Sequence, residues 1–173
     1  MTSAYQENPV RRIDMVALGF ERFRRHGFVV WPQNQETYHT IRRLVPRSAS
    51  ILVAGCGIGW GAALLGARLA TDLEPDHLRY CRQLYPLMST AVWDITQGPW
   101  KDSYDDVVAV EVLEHVEDQQ GALANLLSSA NHAVWLSTPN RRNSMLGQER
   151  PLNPYHVREL TPDEVVRLVA ARA

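Results

Sequence analysis

The stretch Ser50-Ile-Leu-Val-Ala-Gly-Cys-Gly-Ile-Gly59 decides the fold. Ile51 to Ala54 form a short, wholly apolar run, which reads as a strand buried on both faces, as in a parallel sheet. The alternating glycines Gly55, Gly57 and Gly59 then let the chain turn sharply into a crossover helix, predicted over about 60–67. They also remove side chains that would keep a ligand away from the backbone. On its own the loop admits three readings: a turn without a ligand, a nicotinamide or flavin site through Gly57-x-Gly59-x-x-Ala62, or a pocket for another adenosyl compound.

The segments on either side repeat the strand and helix alternation. Upstream, Asn8-Pro9 caps a first helix that stops at Gly27, Phe28-Val-Val-Trp-Pro32 links onward, and a second helix spans about 36–45 before Pro46. These form a helical cap over 1–48, ahead of an α/β core over 49–173. Downstream, strands are predicted at 68–72, 89–93, 107–112 and 132–138, with helices opening at Glu74-Pro75 and spanning 118–130. A last helix starts at the capping box Thr161-Pro-Asp-Glu164. Five strands alternating with helices imply right-handed crossovers and a doubly wound, mostly parallel sheet in a single domain.

Ligands of such sheets sit beyond the carboxyl ends of the strands. That rule gathers the glycine loop, Asp72, Asp94, Glu111 and Ser137-Thr-Pro-Asn140 into one place. A carboxylate in the position of Asp72 accepts hydrogen bonds from both hydroxyls of a ribose. Asp94 can accept from an adenine amino group. Glu111 ends an otherwise apolar strand, where an ionised side chain is costly unless it meets a cation.

Composition sets outer bounds. The chain has 173 residues, 45% apolar and 21% charged, with a formal net charge of −1. These values fit an ordinary globular domain and argue against a general polyanion binder, the arginine pairs notwithstanding. No apolar run approaches the ~20 residues of a membrane-spanning helix, and the polar N-terminus lacks a signal peptide's apolar core, so the expectation is a cytoplasmic protein. Cys56 and Cys81 match no zinc pattern and no disulfide framework, and no metal site is expected.

Taken in order, Gly55-Cys-Gly-Ile-Gly59, Asp72-Leu-Glu-Pro-Asp-His-Leu78, Val107-Val-Ala-Val-Glu-Val-Leu-Glu-His-Val116 and Leu136-Ser-Thr-Pro-Asn140 resemble the motifs of class I S-adenosylmethionine-dependent methyltransferases. The Glu-Val-Leu-Glu-His segment is the most specific of them. Asn153-Pro-Tyr-His-Val-Arg-Glu-Leu-Thr-Pro162 is similar to a segment of small-molecule and glycan-modifying members, and the resemblance covers residues 36–172. It implies a Rossmann-like methyltransferase fold with S-adenosylmethionine as methyl donor and S-adenosylhomocysteine as product. By the resemblance, Gly55, Cys56, Gly57 and Gly59 hold the methionine part, Asp72 with Leu73 the ribose, and Asp94 with Ile95 the adenine. Glu111 would face the donor's cationic end.

The chain departs from the family pattern where Val53 replaces the usual acid two residues before the first glycine, and the helix after Gly59 is about one turn short. The family's final antiparallel strand pair does not follow strand five, so 133–137 should be an edge covered by another chain or by the C-terminal helix. The acceptor is expected to be a small molecule or glycan. The Asn/Asp-Pro-Pro-Tyr motif of nucleic-acid amino-methyltransferases and the Pro-Cys of cytosine C5 enzymes are both missing. His115 and His156 are the candidate bases, with Asn140, Tyr155 and Arg158 around the acceptor. Two other functions stay open here: a cofactor-binding subunit without activity of its own, and a nicotinamide-dependent oxidoreductase.

Overall fold

The computed structural model describes residues 32–144, 151 and 153–171. The predicted first helix and the link after it, up to Trp31, lie outside these residues. The described chain runs α1 (Pro32–Leu44), β1 (Ile51–Ala54), α2 (Trp60–Leu65), β2 (Leu69–Asp72), α3 (Pro75–Leu84), β3 (Thr90–Val92), β4 (Tyr104–Val110), a 3-10 turn (Leu113–His115), α4 (Gln119–Ser128), β5 (Ala130–Ser137), α5 (Arg141–Ser144) and α6 (Pro162–Ala170). The sheet has five strands in the order β3-β2-β1-β4-β5, and every pairing is parallel. This is the doubly wound sheet expected, with the order reversing between β1 and β4.

Alternate residues of the central strands feed two cores. Ile51 and Val53 of β1 with Val108 and Val110 of β4 pack against Tyr38 and Ile41 of α1 and Leu78 of α3. Leu52 and Ala54 with Val107 and Ala109 pack on the other side against Ala122 and Leu126 of α4. Two-sided burial explains why β1 reads as one apolar run, since each fully buried aliphatic contributes about 1.5–3 kcal/mol. No described helix is long and apolar enough to cross a membrane.

Several boundaries differ from expectation. Helix α1 begins at Pro32 rather than at 36, because proline fits a first helical turn. Helix α2 stops at Leu65, where Gly66 takes the left-handed conformation that closes helices. Strand β4 starts three residues early, at Tyr104, and includes the loop-like pair Asp105-Asp106. Both acids find partners there, although Asp106 Oδ2 stays buried without one. Asp105 accepts from the Ser50 backbone N–H (2.7 Å) and hydroxyl (2.8 Å), while Asp106 accepts from His132 Nδ1 (3.1 Å) and Trp135 Nε1 (3.2 Å). The same strand ends before Glu111, whose φ of 57° cannot continue it. Strand β5 extends back to Ala130, and its outer edge pairs with no strand among the described residues.

Candidate active site

The glycine loop leaves β1 with its backbone fastened to β2. Cys56 N–H donates to the Thr71 carbonyl (2.8 Å) and Gly57 N–H to Asp72 Oδ2 (2.8 Å). All three glycines have positive φ, yet their missing side chains serve different ends. A Cβ on Gly55 would lie 2.5 Å from Val112 Cγ2, and one on Gly59 would run into Cys81 Sγ, so these two let the turn after β4 and helix α3 close on the loop. A Cβ on Gly57 would meet nothing within 4 Å. Gly57 is therefore where the loop is open to a ligand, and crowding by the protein itself accounts for the other two. Cys56 and Cys81 are both buried and free, and Cys56's thiol is pushed up by its hydrogen bond to Cys81 and by burial.

Asp72 does more than the sequence implies. Its second oxygen accepts from Glu74 N–H (2.9 Å) and pairs with His77 Nδ1 (3.1 Å). Burial lowers the His77 pKa, but the hydrogen bond and charge of Asp72 outweigh it and leave the imidazole raised overall. A carboxylate has about four acceptor positions. Three are engaged by the protein, and those contacts fix the carboxylate against the loop. Leu73 follows, half-buried. Trp93 N–H donates to the Asp72 carbonyl (3.1 Å), which brings the β3 exit alongside. Asp94 there accepts from Thr96 N–H (2.9 Å) and hydroxyl (2.7 Å), and Ile95 turns its side chain into the core beside Leu69 and Trp93. Only the backbone of Ile95 is left for an adenine contact.

On the other side of the loop, Glu111 accepts from the Ser137 hydroxyl (2.8 Å) in its left-handed conformation, and burial raises its pKa. It is the one described non-glycine residue with positive φ, a strain of roughly 1–3 kcal/mol that turns its side chain out of the strand's alternation. Tyr38 of α1 completes this wall. It is buried over Gly61, its ring meets Trp60 edge-on at 5.9 Å, and burial followed by the charges of Cys56, Asp72 and Glu111 raises its hydroxyl pKa.

The structure also brings the two candidate bases together. His115 and His156 stand edge to face with ring centroids 4.8 Å apart. His115 Nδ1 lies 2.9 Å from the Tyr155 carbonyl, which can only accept, so the proton is on Nδ1 and the lone pair on Nε2. Burial, the largest influence on it, lowers the His115 pKa. His156 Nδ1 meets Glu159 Oε1 at 2.5 Å, and Asn153 Nδ2 lies 2.8 Å from its Nε2. The segment carrying His156 is seated on the 3-10 turn, since Val157 N–H (2.7 Å) and Arg158 N–H (3.2 Å) both donate to the Glu114 carbonyl. Gln119 Nε2 closes the joint by donating to the carbonyls of Leu113 (2.9 Å) and Arg158 (2.8 Å). Arg158's own guanidinium meets Glu164, and Asn140 bridges to Leu160, so both support the segment's far end.

Glu114 escaped the sequence reading as a site residue. It is fully buried, at 0% exposure, and neither carboxyl oxygen has a hydrogen-bond partner. Thr138's hydroxyl is near but is itself unpartnered. Burial and the charge of Glu111 push the Glu114 pKa up to about 8. Glu159, buried at 3% exposure, was missed too. A charged residue in a short motif looks solvated until the fold buries it; the one available signal was the acid and imidazole pair inside Glu111-Val-Leu-Glu-His115.

Comparison with known proteins agrees with this fold. Residues 52–129 match the family described as a methyltransferase domain. A probable S-adenosylmethionine-dependent methyltransferase of Mycobacterium tuberculosis is 34% identical over 157 residues, covering 85% of this chain and 53% of the relative. Among solved structures, a TehB-like S-adenosylmethionine-dependent methyltransferase from Corynebacterium glutamicum is 26% identical, with a TM-score of 0.57 over 71% of this chain and 68% of its own. Magnesium protoporphyrin IX methyltransferase from Synechocystis, solved with bound S-adenosylhomocysteine, shares the fold at a TM-score of 0.72 and 18% identity, over 94% of this chain and 87% of its own. The chain is similar in sequence to S-adenosylmethionine-dependent methyltransferases and shares their Rossmann-like fold, which favours that reading among those the glycine loop left open. It spans about half the length of the curated relatives it matches.

Proposed function

We propose that the chain binds S-adenosylmethionine across the carboxyl ends of β1, β2 and β3 and transfers its methyl group to an oxygen or nitrogen of a small molecule or glycan. The observation that carries this reading is the loop at Gly57, held by Asp72 and open above its Cα, with acids on both sides and two imidazoles at the next strand end. The residues present fit the donor: bare backbone for its methionine part, Asp72 with Leu73 for ribose, Asp94 with the Ile95 backbone for adenine. Glu111 stands where a cationic group would offset the cost of burying its charge.

The donor supplies a methyl group already activated by its sulfonium, so attack by an acceptor lone pair breaks the carbon–sulfur bond and leaves the thioether S-adenosylhomocysteine. What the protein contributes is alignment and exclusion of water. Asp72 fixes the loop and Tyr38 walls it off from α1. The segment around His156 docks on the turn after β4 and places both imidazoles beside the donor site. His115 Nε2 then receives the acceptor's proton. The outer edge of β5 takes a second chain, either a copy or a partner, and the protein works in the cytoplasm.

A second reading is a cofactor-binding subunit whose activity depends on a partner. Val53 favours it, being fully buried where the family usually has an acid. Incubating the purified chain with methyl-tritiated donor and a fractionated cell extract tests both. Label entering a low-molecular-weight or glycan fraction supports the catalytic reading. Donor binding with no transfer until a partner is added supports the other.

A further inference from the structure

Three side chains converge at the exit of β4, and one of them, Glu114, has no hydrogen-bond partner for its carboxyl group. One ligand-capable atom each from Glu114, His115 and His156 lies within 4.8 Å of the other two. Glu114 is fully buried with both oxygens unpartnered, an arrangement that is costly without a counter-group. Each imidazole is held from behind at Nδ1, His115 by the Tyr155 carbonyl (2.9 Å) and His156 by the buried carboxylate of Glu159 (2.5 Å). Both lone pairs therefore fall on Nε2. A carbonyl or carboxylate behind Nδ1 is how ligating histidines are oriented and their basicity raised.

We propose that Glu114, His115 and His156 bind one divalent transition-metal ion. Two imidazole nitrogens and one carboxylate oxygen suit zinc(II), manganese(II) or cobalt(II) better than calcium, which prefers oxygens throughout. Ligands about 2.1 Å from an ion stand roughly 3.4 Å from each other. The three side chains must therefore close by up to about 1.4 Å, and the Asn153 amide, 2.8 Å from His156 Nε2, must give way. Three protein ligands leave at least one position open.

The consequence for chemistry deepens the methyltransferase reading and rests on it, although the ion site itself does not. An acceptor hydroxyl in the open position is held and acidified by the ion. Its O–H bond breaks with the proton passing to water, and the oxygen then attacks the methyl carbon while the carbon–sulfur pair stays on sulfur. With the ion bound, His115 serves as a ligand in place of the role of base given to it above, and water takes the proton. The acceptor class narrows to hydroxyl compounds, with a second neighbouring oxygen such as a sugar diol favoured because it chelates.

The test uses the untagged chain, stripped of metal and titrated with manganese(II) by electron paramagnetic resonance and with zinc(II) by calorimetry. H156Q and E114Q are run alongside, with S-adenosylhomocysteine affinity measured on every sample. The expected result is one ion per chain, at least tenfold weaker in each variant, with S-adenosylhomocysteine affinity retained. Should E114Q fail to fold, H156Q decides alone. No ion bound, binding unchanged in the variants, or ion and S-adenosylhomocysteine affinity lost together would each overturn the site. Ion binding without S-adenosylhomocysteine binding in the parent chain would leave the site standing and sink the methyltransferase reading instead.

Discussion

At the scale of single residues, the glycines and Asp72 make separable predictions. Gly59→Ala puts a methyl into Cys81 Sγ at a φ of 90°, so the cost falls on the fold: roughly 2–4 kcal/mol, read as a lower thermal midpoint. Gly57→Ala has room and pays only for its φ of 55°, about 1 kcal/mol. Its larger effect is expected on donor binding, because the new methyl stands where the loop is open. Equal stability losses in the two variants would contradict the division. Asp72→Ala removes three internal contacts with any ribose contacts, so it should weaken donor binding by roughly 1–3 kcal/mol and also lower stability. His77 adds a pH dependence. Its folded pKa is raised, so the stability it contributes is complete below its ordinary value near 6.5 and is lost as pH rises through the folded value. His77→Gln should remove that decline from a plot of thermal midpoint against pH, and an unchanged slope would refute the pairing.

At the scale of elements, the sequence was most legible where one physical requirement acts alone. The run Ile51 to Ala54 needed only two-sided burial, and the Thr161 box needed only its local hydrogen bonds, 2.8 Å and 3.3 Å. Strand β4 was misplaced because its first acids are bonded to residues distant in sequence, Ser50, His132 and Trp135, which no local pattern displays. The candidate site divides in the same way. The loop and the acids at strand ends follow from topology, so they could be named in advance. The burial of Glu114 and the pairing of His156 with Glu159 depend on how the segment 153–160 docks, and docking is a tertiary fact. Gln119 holds that dock through two carbonyls. Gln119→Leu leaves both unpaired at about 1–3 kcal/mol. Hydrogen exchange should then quicken at Val157 and Arg158 while the β1 and β4 amides stay protected; uniform exchange would show that the dock is not a local unit.

At the scale of the molecule, the sheet order places β1 and β4 at the centre and β5 at an edge. A groove of about 410 Å³ runs beside that edge, lined by Thr40, Ile41 and Leu44 of α1 with Trp135 and Leu136 of β5. A strand edge left unpaired among the described residues, beside an apolar groove, is where a second chain is expected. Light scattering of the purified chain should give more than the monomer mass, or amides along 130–137 should be protected only when a partner is present. A monomer whose edge amides exchange freely under all conditions would remove the partner from the proposal. The central claim is narrower than any of this: one adenosyl pocket at the carboxyl ends of β1, β2 and β3, fixed by Asp72. Calorimetric titration of the chain and of Asp72→Ala with S-adenosylhomocysteine tests it most directly. The account predicts one site per chain, weakened at least fivefold in the variant and silent toward NAD; no heat of binding, or equal affinity in the two proteins, would contradict it.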